Sequence, residues 1–186
     1  MPEVVLLRSM DRHIEKDTVR LMVEMALKHF PELEDETIYV GILREKDEAD
    51  GRANTHNRII MFPTDKVPTF VTVFHELMHL AIEKVNENGG KLPRTEEFCS
   101  IAAMARMPPE LVDEDAIPYI GAPKIPIPTN LYPELCRRAL EYRKHRRDYV
   151  RWLRERLGIS IWGEPNEETR QKLLAEVNEI LKGVEV

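Results

Sequence analysis

Helical and extended patterns of apolar residues follow one another in the first third of the chain. Between residues 11 and 30, apolar side chains recur at helical spacing and predict an amphipathic helix. The residues that define this spacing are Ile14, Leu21, Met22, Met25 and Ala26. The β-branched run at 37–43 predicts a strand. A charged loop with the turn signal Asp50-Gly51 separates it from a second, shorter strand over residues 58–62.

The strongest helical pattern in the chain covers residues 68–86. It ends at Gly89-Gly90, because glycine readily adopts the backbone conformation that closes a helix. Thr95 is a good N-cap for another helix, which should run to about residue 107 before Pro108-Pro109. We therefore expect two helices in the middle of the chain, joined by a short connection.

The last part of the chain is predicted to be helical after a proline-rich segment. Seven prolines between residues 108 and 133 exclude a continuous helix there. The isoleucines among them are too apolar for a free linker, so we expect this segment to pack on the body of the protein. A long basic helix over 134–157 and a last helix over 166–182 follow. This order predicts an α+β fold with a core over 1–107, a connecting segment, and an α-helical extension over 134–186.

Composition and charge narrow the possible classes of function. The chain has 186 residues, of which 42% are hydrophobic and 32% are charged, as in an ordinary globular protein. No run approaches the roughly 20 apolar residues that a membrane span needs. We therefore expect a soluble, cytoplasmic protein. Cys99 and Cys136 fit no disulfide framework, so we expect both to be buried thiols. The net charge of −6 gives no general case for nucleic-acid binding.

The predicted helix over 134–157 departs from this acidic average. It carries nine Arg and Lys residues against four Asp and Glu residues. One interpretation is a contact surface for nucleic acid or for an acidic partner. The other is a solvated helix face whose charges balance acidic residues elsewhere in the fold.

The clearest chemical signal is the sequence His75-Glu76-Leu77-Met78-His79 within the strongest predicted helix. Residues four apart lie on one helix face, so both imidazoles can reach one tetrahedral zinc ion at about 2.0–2.1 Å from each nitrogen. Glu76 lies beside the metal, where its carboxylate can take a proton from a zinc-bound water. The motif therefore predicts zinc on His75 and His79, with Glu76 as the general base.

The helix around this motif is apolar on its other sides. Between residues 70 and 82 the only polar side chains are Thr72, His75, Glu76 and His79, which fall within an arc of about 100°. A narrow polar stripe on a buried helix should face a cleft, a metal or a polar partner, since buried polar groups without partners are costly. The alternative is that the stripe is the solvent face of a surface helix.

A third zinc ligand must come from outside the motif. The residues after His79 contain neither the glycine nor the third histidine of the extended motif His-x-x-Gly-x-x-His. A glutamate from a later helix is another common solution, and both Glu96 and Glu97 are available. We favour Glu97, because it lies beside the apolar face of the predicted helix. The alternative is that both are first-turn acids that the helix dipole favours.

This combination resembles the gluzincin clan of zinc peptidases. The residues that carry the resemblance are His75, Glu76, His79 and Glu97, and the run Glu97-Phe98-Cys99-Ser100 is similar to the Glu-x-x-Ser/Ala pattern of the clan. The small size and the lack of membrane spans resemble the archaeal minigluzincins, some of which occur in latent form. The resemblance covers roughly residues 10–107.

The resemblance implies a zincin-like core, in which a backing helix, a short sheet, an active-site helix and a Glu-ligand helix surround one zinc ion. It implies hydrolysis of a peptide or protein substrate, with residues 58–62 as the strand that lines the cleft. At one position the chain departs from the clan, since Ile101 stands where many members carry an aspartate that orients a zinc-binding histidine. Loss of such support costs about 10–100-fold in affinity or activity. A zinc-binding protein without peptidase activity is therefore the alternative.

Overall fold

The computed structural model of the protein describes residues 2–44, 48–159 and 165–182. These residues form six α-helices and a four-stranded sheet, which agrees with the predicted α+β class. Backbone contacts divide the chain into two compact units, residues 1–94 and 95–186. The first unit thus ends before the helix that carries Glu97, whereas the core expected from the sequence included that helix.

The first unit is built around the sheet. Its strands are β1 (Glu3–Leu6), β2 (Thr37–Ile42), β3 (Arg52–Asn54) and β4 (Ile59–Phe62). They lie in the order β1-β2-β4-β3, in which β1 and β4 run parallel to β2 and β3 runs antiparallel to β4. Two strands were predicted, and β2 and β4 confirm them. Among the described residues, β4 is an interior strand and β3 forms one edge of the sheet.

The two outer strands, β1 and β3, were not predicted from the sequence. β1 is four residues long and pairs with β2, more than 30 residues further along the chain. β3 has only three residues, Arg-Ala-Asn, and pairs with β4 across residues 55–58. β1 does not alternate apolar and polar residues, and the three residues of β3 are too few to establish an alternation. Each is held in place by its partner strand.

Helix α1 (Lys16–Leu27) is shorter than the helix predicted over 11–30, because the chain turns at Ile14 before the helix begins. Its buried residues are Val19, Met22, Val23, Ala26 and Leu27. Ile14 and Leu21, which the predicted apolar face included, are 65% and 55% exposed. The helix is therefore where the pattern placed it, but the face that it buries is rotated from the predicted one.

Helix α2 (Phe70–Glu87) matches the strongest predicted helix. The Thr69 hydroxyl caps it by accepting a hydrogen bond from the Thr72 backbone N–H at 3.0 Å. At the other end, Gly89 adopts a φ of 89°, which is the conformation expected of a helix stop. The helix contacts α1 and β3, and ten of its residues are buried. It is therefore a core helix of the first unit.

An ion-pair network joins the sheet to the end of α2. Glu36, just before β2, accepts hydrogen bonds from the Arg58 guanidinium, at 3.2 Å, and from the Lys84 ammonium. Arg58 also donates to Glu87. The hydrogen bond from Lys84, helped by Arg58, holds the pKa of the Glu36 carboxyl below its ordinary value, although partial burial opposes this. The network therefore favours the charged form of Glu36 in the folded state.

We expect Glu36→Gln to lower the free energy of unfolding by about 1 kcal/mol at neutral pH. Because the pKa of Glu36 is lowered by folding, its stabilising effect is complete above the ordinary value of 4.5 and is lost as the pH falls through the lowered value. Chemical denaturation between pH 7 and pH 3 should show wild type and variant converging in acid. Glu34→Gln, at an exposed neighbouring position, is the control. A difference in the free energy of unfolding between wild type and Glu36→Gln that grows as the pH falls would contradict this account.

The second unit begins with α3 (Glu96–Met104), whose cap Thr95 accepts a hydrogen bond from the Phe98 N–H at 3.3 Å. The last helix, α6 (Glu167–Ile180), is capped in the same way by Asn166. Both helices were predicted. The proline-rich segment over residues 108–133 follows α3 and is packed, as expected. Its buried isoleucines are Ile117, Ile120, Ile125 and Ile127.

The prediction of one long helix over 134–157 is wrong. The structure has two helices, α4 (Tyr132–Arg143) and α5 (Tyr149–Arg156), separated by residues 144–148. These five residues are Lys-His-Arg-Arg-Asp and all are exposed, so the break contains no apolar residue that could pack on the core. The chain folds back, and the ring of Tyr142 stacks on that of Trp152 with their centroids 5.4 Å apart.

Cys99 and Cys136 are both buried and neither forms a disulfide, as expected. Burial raises the pKa of the Cys136 thiol, which favours its neutral form. Among the described helices, none combines the length and the apolar character needed to cross a membrane.

Candidate metal centre

The polar stripe of α2 is largely shielded from solvent. His75 and Glu76 are 6% and 5% exposed, and Thr72 and His79 are half-buried. The alternative that this stripe is the solvent face of a surface helix is therefore excluded. Glu83 continues the stripe toward the surface, where it pairs with Arg94 at 2.9 Å. The polar side chains of the motif must find their partners within the protein or in a bound ion.

The two histidines of the motif converge on one point. The Nε2 atoms of His75 and His79 are 3.1 Å apart, and their rings are nearly perpendicular, at 82°. Two nitrogens bound to a tetrahedral zinc ion at about 2.0–2.1 Å are separated by roughly 3.4 Å. A hydrogen bond between two neutral imidazoles would give a similar distance. The pair therefore fits a zinc ion with little movement of either ring.

A cysteine completes the one group of potential ligands found among the described residues. This group consists of His75, His79 and Cys99, whose ligand atoms all lie within 4.8 Å of one another. Such a cluster could hold a metal ion, since a thiolate and two imidazoles are ordinary zinc ligands. From the sequence, Cys99 was expected only to be a buried thiol. Cys99 lies near the start of α3, two residues after Glu97, and this position could have suggested it as a potential metal ligand.

Glu97 is not a member of this group, so its role as the third ligand stays a prediction. It is half-buried in the first turn of α3. The pKa of Tyr149 is raised mainly by burial. The Arg143 guanidinium opposes this rise, and the Glu97 carboxylate adds to it. Within the second unit, Glu97 therefore lies close enough to Tyr149 to act on its charge. Glu96 is half-buried as well.

An edge strand lies beside the motif. β3 contacts α2, and Gly51, which directly precedes β3, lies against the side chains of Thr72 and Glu76. The strand expected to line a cleft, residues 58–62, corresponds to β4, and both of its edges are paired, with β2 and with β3. A strand that is paired on both sides has no edge for another chain to pair with. β3 is therefore a better candidate than β4 for the strand that lines a cleft.

Many basic side chains of α4 and α5 have partners within the second unit. Arg137 and Arg138 pair with Glu134, each at 2.8 Å. Arg154 donates to the backbone oxygen of Tyr119 at 2.7 Å. These side chains stabilise the unit to which they belong. A role in binding nucleic acid or an acidic partner stays a prediction.

No protein-family model, no curated protein and no solved structure matches this chain.

Proposed function

We propose that this protein is a zinc-dependent peptidase of the gluzincin type, with a zincin-like core. The observation that carries the proposal is the approach of the Nε2 atoms of His75 and His79 to 3.1 Å on a buried helix, with the buried carboxyl side chain of Glu76 next to His75. When bound, zinc supplies Lewis-acid chemistry that polarises a peptide carbonyl and favours loss of a proton from water.

The residues of the motif have distinct roles in this proposal. His75 and His79 would bind the ion through Nε2. The Glu76 carboxylate accepts the proton of the attacking water and passes it to the nitrogen of the leaving amine. The water oxygen bonds to the carbonyl carbon, the C–N bond breaks, and the products are a carboxylate and an amine. The burial of Glu76 supports this role, because a base shielded from bulk water interacts strongly with charges nearby.

The sheet edge supports a polypeptide substrate. β3 has one strand neighbour among the described residues and therefore forms an edge of the sheet there, and edge strands are where further strands are added. An extended peptide that adds to this edge gains main-chain hydrogen bonds without a requirement for a particular sequence. Since β3 also contacts α2, such a peptide would run past the motif helix. We therefore propose unstructured polypeptide segments as the substrate class.

The third ligand is assigned to Glu97 in this proposal, with Cys99 as its competitor. We expect Glu97→Ala to weaken zinc binding about 100-fold, because roughly 10–16 kcal/mol of binding free energy is shared by three or four ligands. Glu96→Ala is the matched control and should bind zinc like wild type. Competition with a chromophoric chelator measures all three affinities.

Substitution of cobalt(II) for zinc separates the two candidates. A Cys99 thiolate bound to cobalt gives a near-ultraviolet charge-transfer band, whereas a Glu97 carboxylate gives none. Cys99→Ala should therefore leave zinc affinity and the cobalt spectrum unchanged, as should the control Cys136→Ala, which removes a second buried thiol. A thiolate band that disappears in Cys99→Ala alone would move the third ligand to Cys99.

Peptide hydrolysis tests the activity itself. The zinc-loaded chain is incubated with unfolded polypeptides, and new termini are identified by mass spectrometry. We expect cleavage that a chelator abolishes and that added zinc restores. A chain that binds zinc tightly but cleaves none of these substrates would favour the alternative, a zinc-binding protein without peptidase activity.

A further inference from the structure

Gly51 lies so close to Glu76 that a larger residue does not fit. A methyl group at Gly51 would lie 2.9 Å from Glu76 Cγ, 2.9 Å from Glu76 Oε1 and 2.9 Å from Thr72 Cγ2. These separations are well inside ordinary contact distances between carbon atoms. Any side chain at position 51 would therefore displace the Glu76 carboxylate or Thr72.

The reason for glycine at this position is space and not backbone conformation. Among the described residues, Gly89, Gly121 and Gly158 are the glycines with positive φ, and Gly51 does not belong to them. An alanine at position 51 would thus meet no backbone strain, only the side chains of Thr72 and Glu76. These two residues are four apart on α2, so their side chains lie one above the other on the same helix face.

The backbone at Gly51 is followed directly by a paired strand. On its C-terminal side, β3 pairs with β4 through Arg52↔Met61 and the two following positions. On its N-terminal side, Asp50 forms an ion pair with Lys66. Strand pairing therefore holds the backbone next to Gly51, and the Glu76 side chain lies against this position.

We propose that Gly51 is a positioning residue for Glu76, whose bare backbone forms one wall of the space that holds the carboxylate in its working orientation. This inference rests on the proposed function, since the orientation of Glu76 affects turnover only if Glu76 is the base. Displacement of a catalytic group by about 1 Å can cost on the order of 100-fold in rate. The methyl group of an alanine at position 51 would cause a displacement of that kind.

The test compares Gly51→Ala with wild type in the zinc-loaded chain. We expect kcat to fall about 10–100-fold, with zinc content unchanged and KM within about threefold. Thr72→Ser removes Cγ2, one of the crowding atoms, and keeps the hydroxyl that accepts from Thr69. Gly51→Ala/Thr72→Ser should therefore regain part of the lost kcat. If Gly51→Ala alone does not fold, this double variant is compared with Thr72→Ser.

Gly41→Ala is the matched control in the same sheet. A methyl group there would lie 3.2 Å from Leu7 Cδ1, with no site residue among its near neighbours. It should lower the midpoint of thermal unfolding slightly and leave kcat unchanged. Equal losses of kcat in Gly41→Ala and Gly51→Ala would mean that the loss reflects general disturbance of the sheet, and would overturn the proposal.

A cycle of unfolding measurements tests the contact without any turnover. Gly51→Ala should lower the midpoint of thermal unfolding in wild type and lower it less in a Glu76→Ala background, where the crowded side chain is absent. Equal shifts in both backgrounds would overturn the proposal. So would an unchanged kcat in Gly51→Ala, provided that Glu76→Gln abolishes turnover. If Glu76→Gln leaves turnover intact, the proposed function itself fails, and this inference fails with it.

Discussion

Replacement of Glu76 by glutamine should reduce peptide hydrolysis by about 10² or more, while the zinc content stays near that of wild type. Glutamine keeps the size and shape of the side chain, but its amide does not accept a proton from water at neutral pH. Because Glu76 is 5% exposed, bulk water should not easily replace it as the base. Turnover of an unstructured peptide and elemental analysis of the same preparations measure the two quantities.

Glu83→Gln is the matched control for this experiment. Glu83 lies on the same stripe of α2, two turns beyond Glu76, but its carboxylate pairs with Arg94, which lowers the pKa of Glu83. Its replacement removes the same charge from the same helix and should leave turnover nearly unchanged. If Glu76→Gln and Glu83→Gln behaved alike, the base would have to be sought elsewhere.

His75→Ala and His79→Ala should each weaken zinc binding by about 100-fold, because each removes roughly 3 kcal/mol of the binding free energy that the ligands share. Turnover should be lost in both variants at zinc concentrations that saturate wild type. Isothermal titration with zinc gives the affinity and the stoichiometry together. The two variants should show similar losses, since the two Nε2 atoms approach the same point.

His29→Ala is the control for these variants. His29 is half-buried beside Phe74, with ring centroids 5.7 Å apart, so its loss disturbs the packing around α2 without removing a proposed ligand. It should bind zinc like wild type. If zinc affinity fell as far in His29→Ala as in His75→Ala, the loss would reflect packing, and the assignment of the ligands would be wrong.

The helix that carries the motif could be predicted because its determinants are local. The cap Thr69, the glycine stop at Gly89 and the narrow polar stripe are all read directly from consecutive residues. The spacing of His75 and His79 then placed both rings on one face, and the structure has their Nε2 atoms 3.1 Å apart.

Features that depend on contacts between distant residues could not be predicted in the same way. β1 and β3 are strands because β2 and β4 pair with them, and three or four residues carry too little pattern to reveal this. Cys99 belongs to the group of potential ligands through its position in space and not through a motif in the sequence. The close contact of Gly51 with Glu76 depends on the path of the edge strand beside α2.

The break between α4 and α5 has a different cause. Lys144, Arg146 and Arg147 are good helix formers, so neither propensity nor the spacing of apolar residues signals an end to the helix. The chain turns there, and Tyr142 and Trp152 on either side of the turn pack against each other. Helix propensity is a weak preference that side-chain packing can override.

The central claim is that His75 and His79 hold one zinc ion. Its most direct test is equilibrium dialysis of the intact chain against zinc, followed by elemental analysis, with the His75→Ala/His79→Ala double variant measured in parallel. We expect one zinc per chain in the wild type and none retained by the double variant at the same zinc concentration. A wild-type stoichiometry near zero after zinc has been supplied, or an equal zinc content in both proteins, would contradict it.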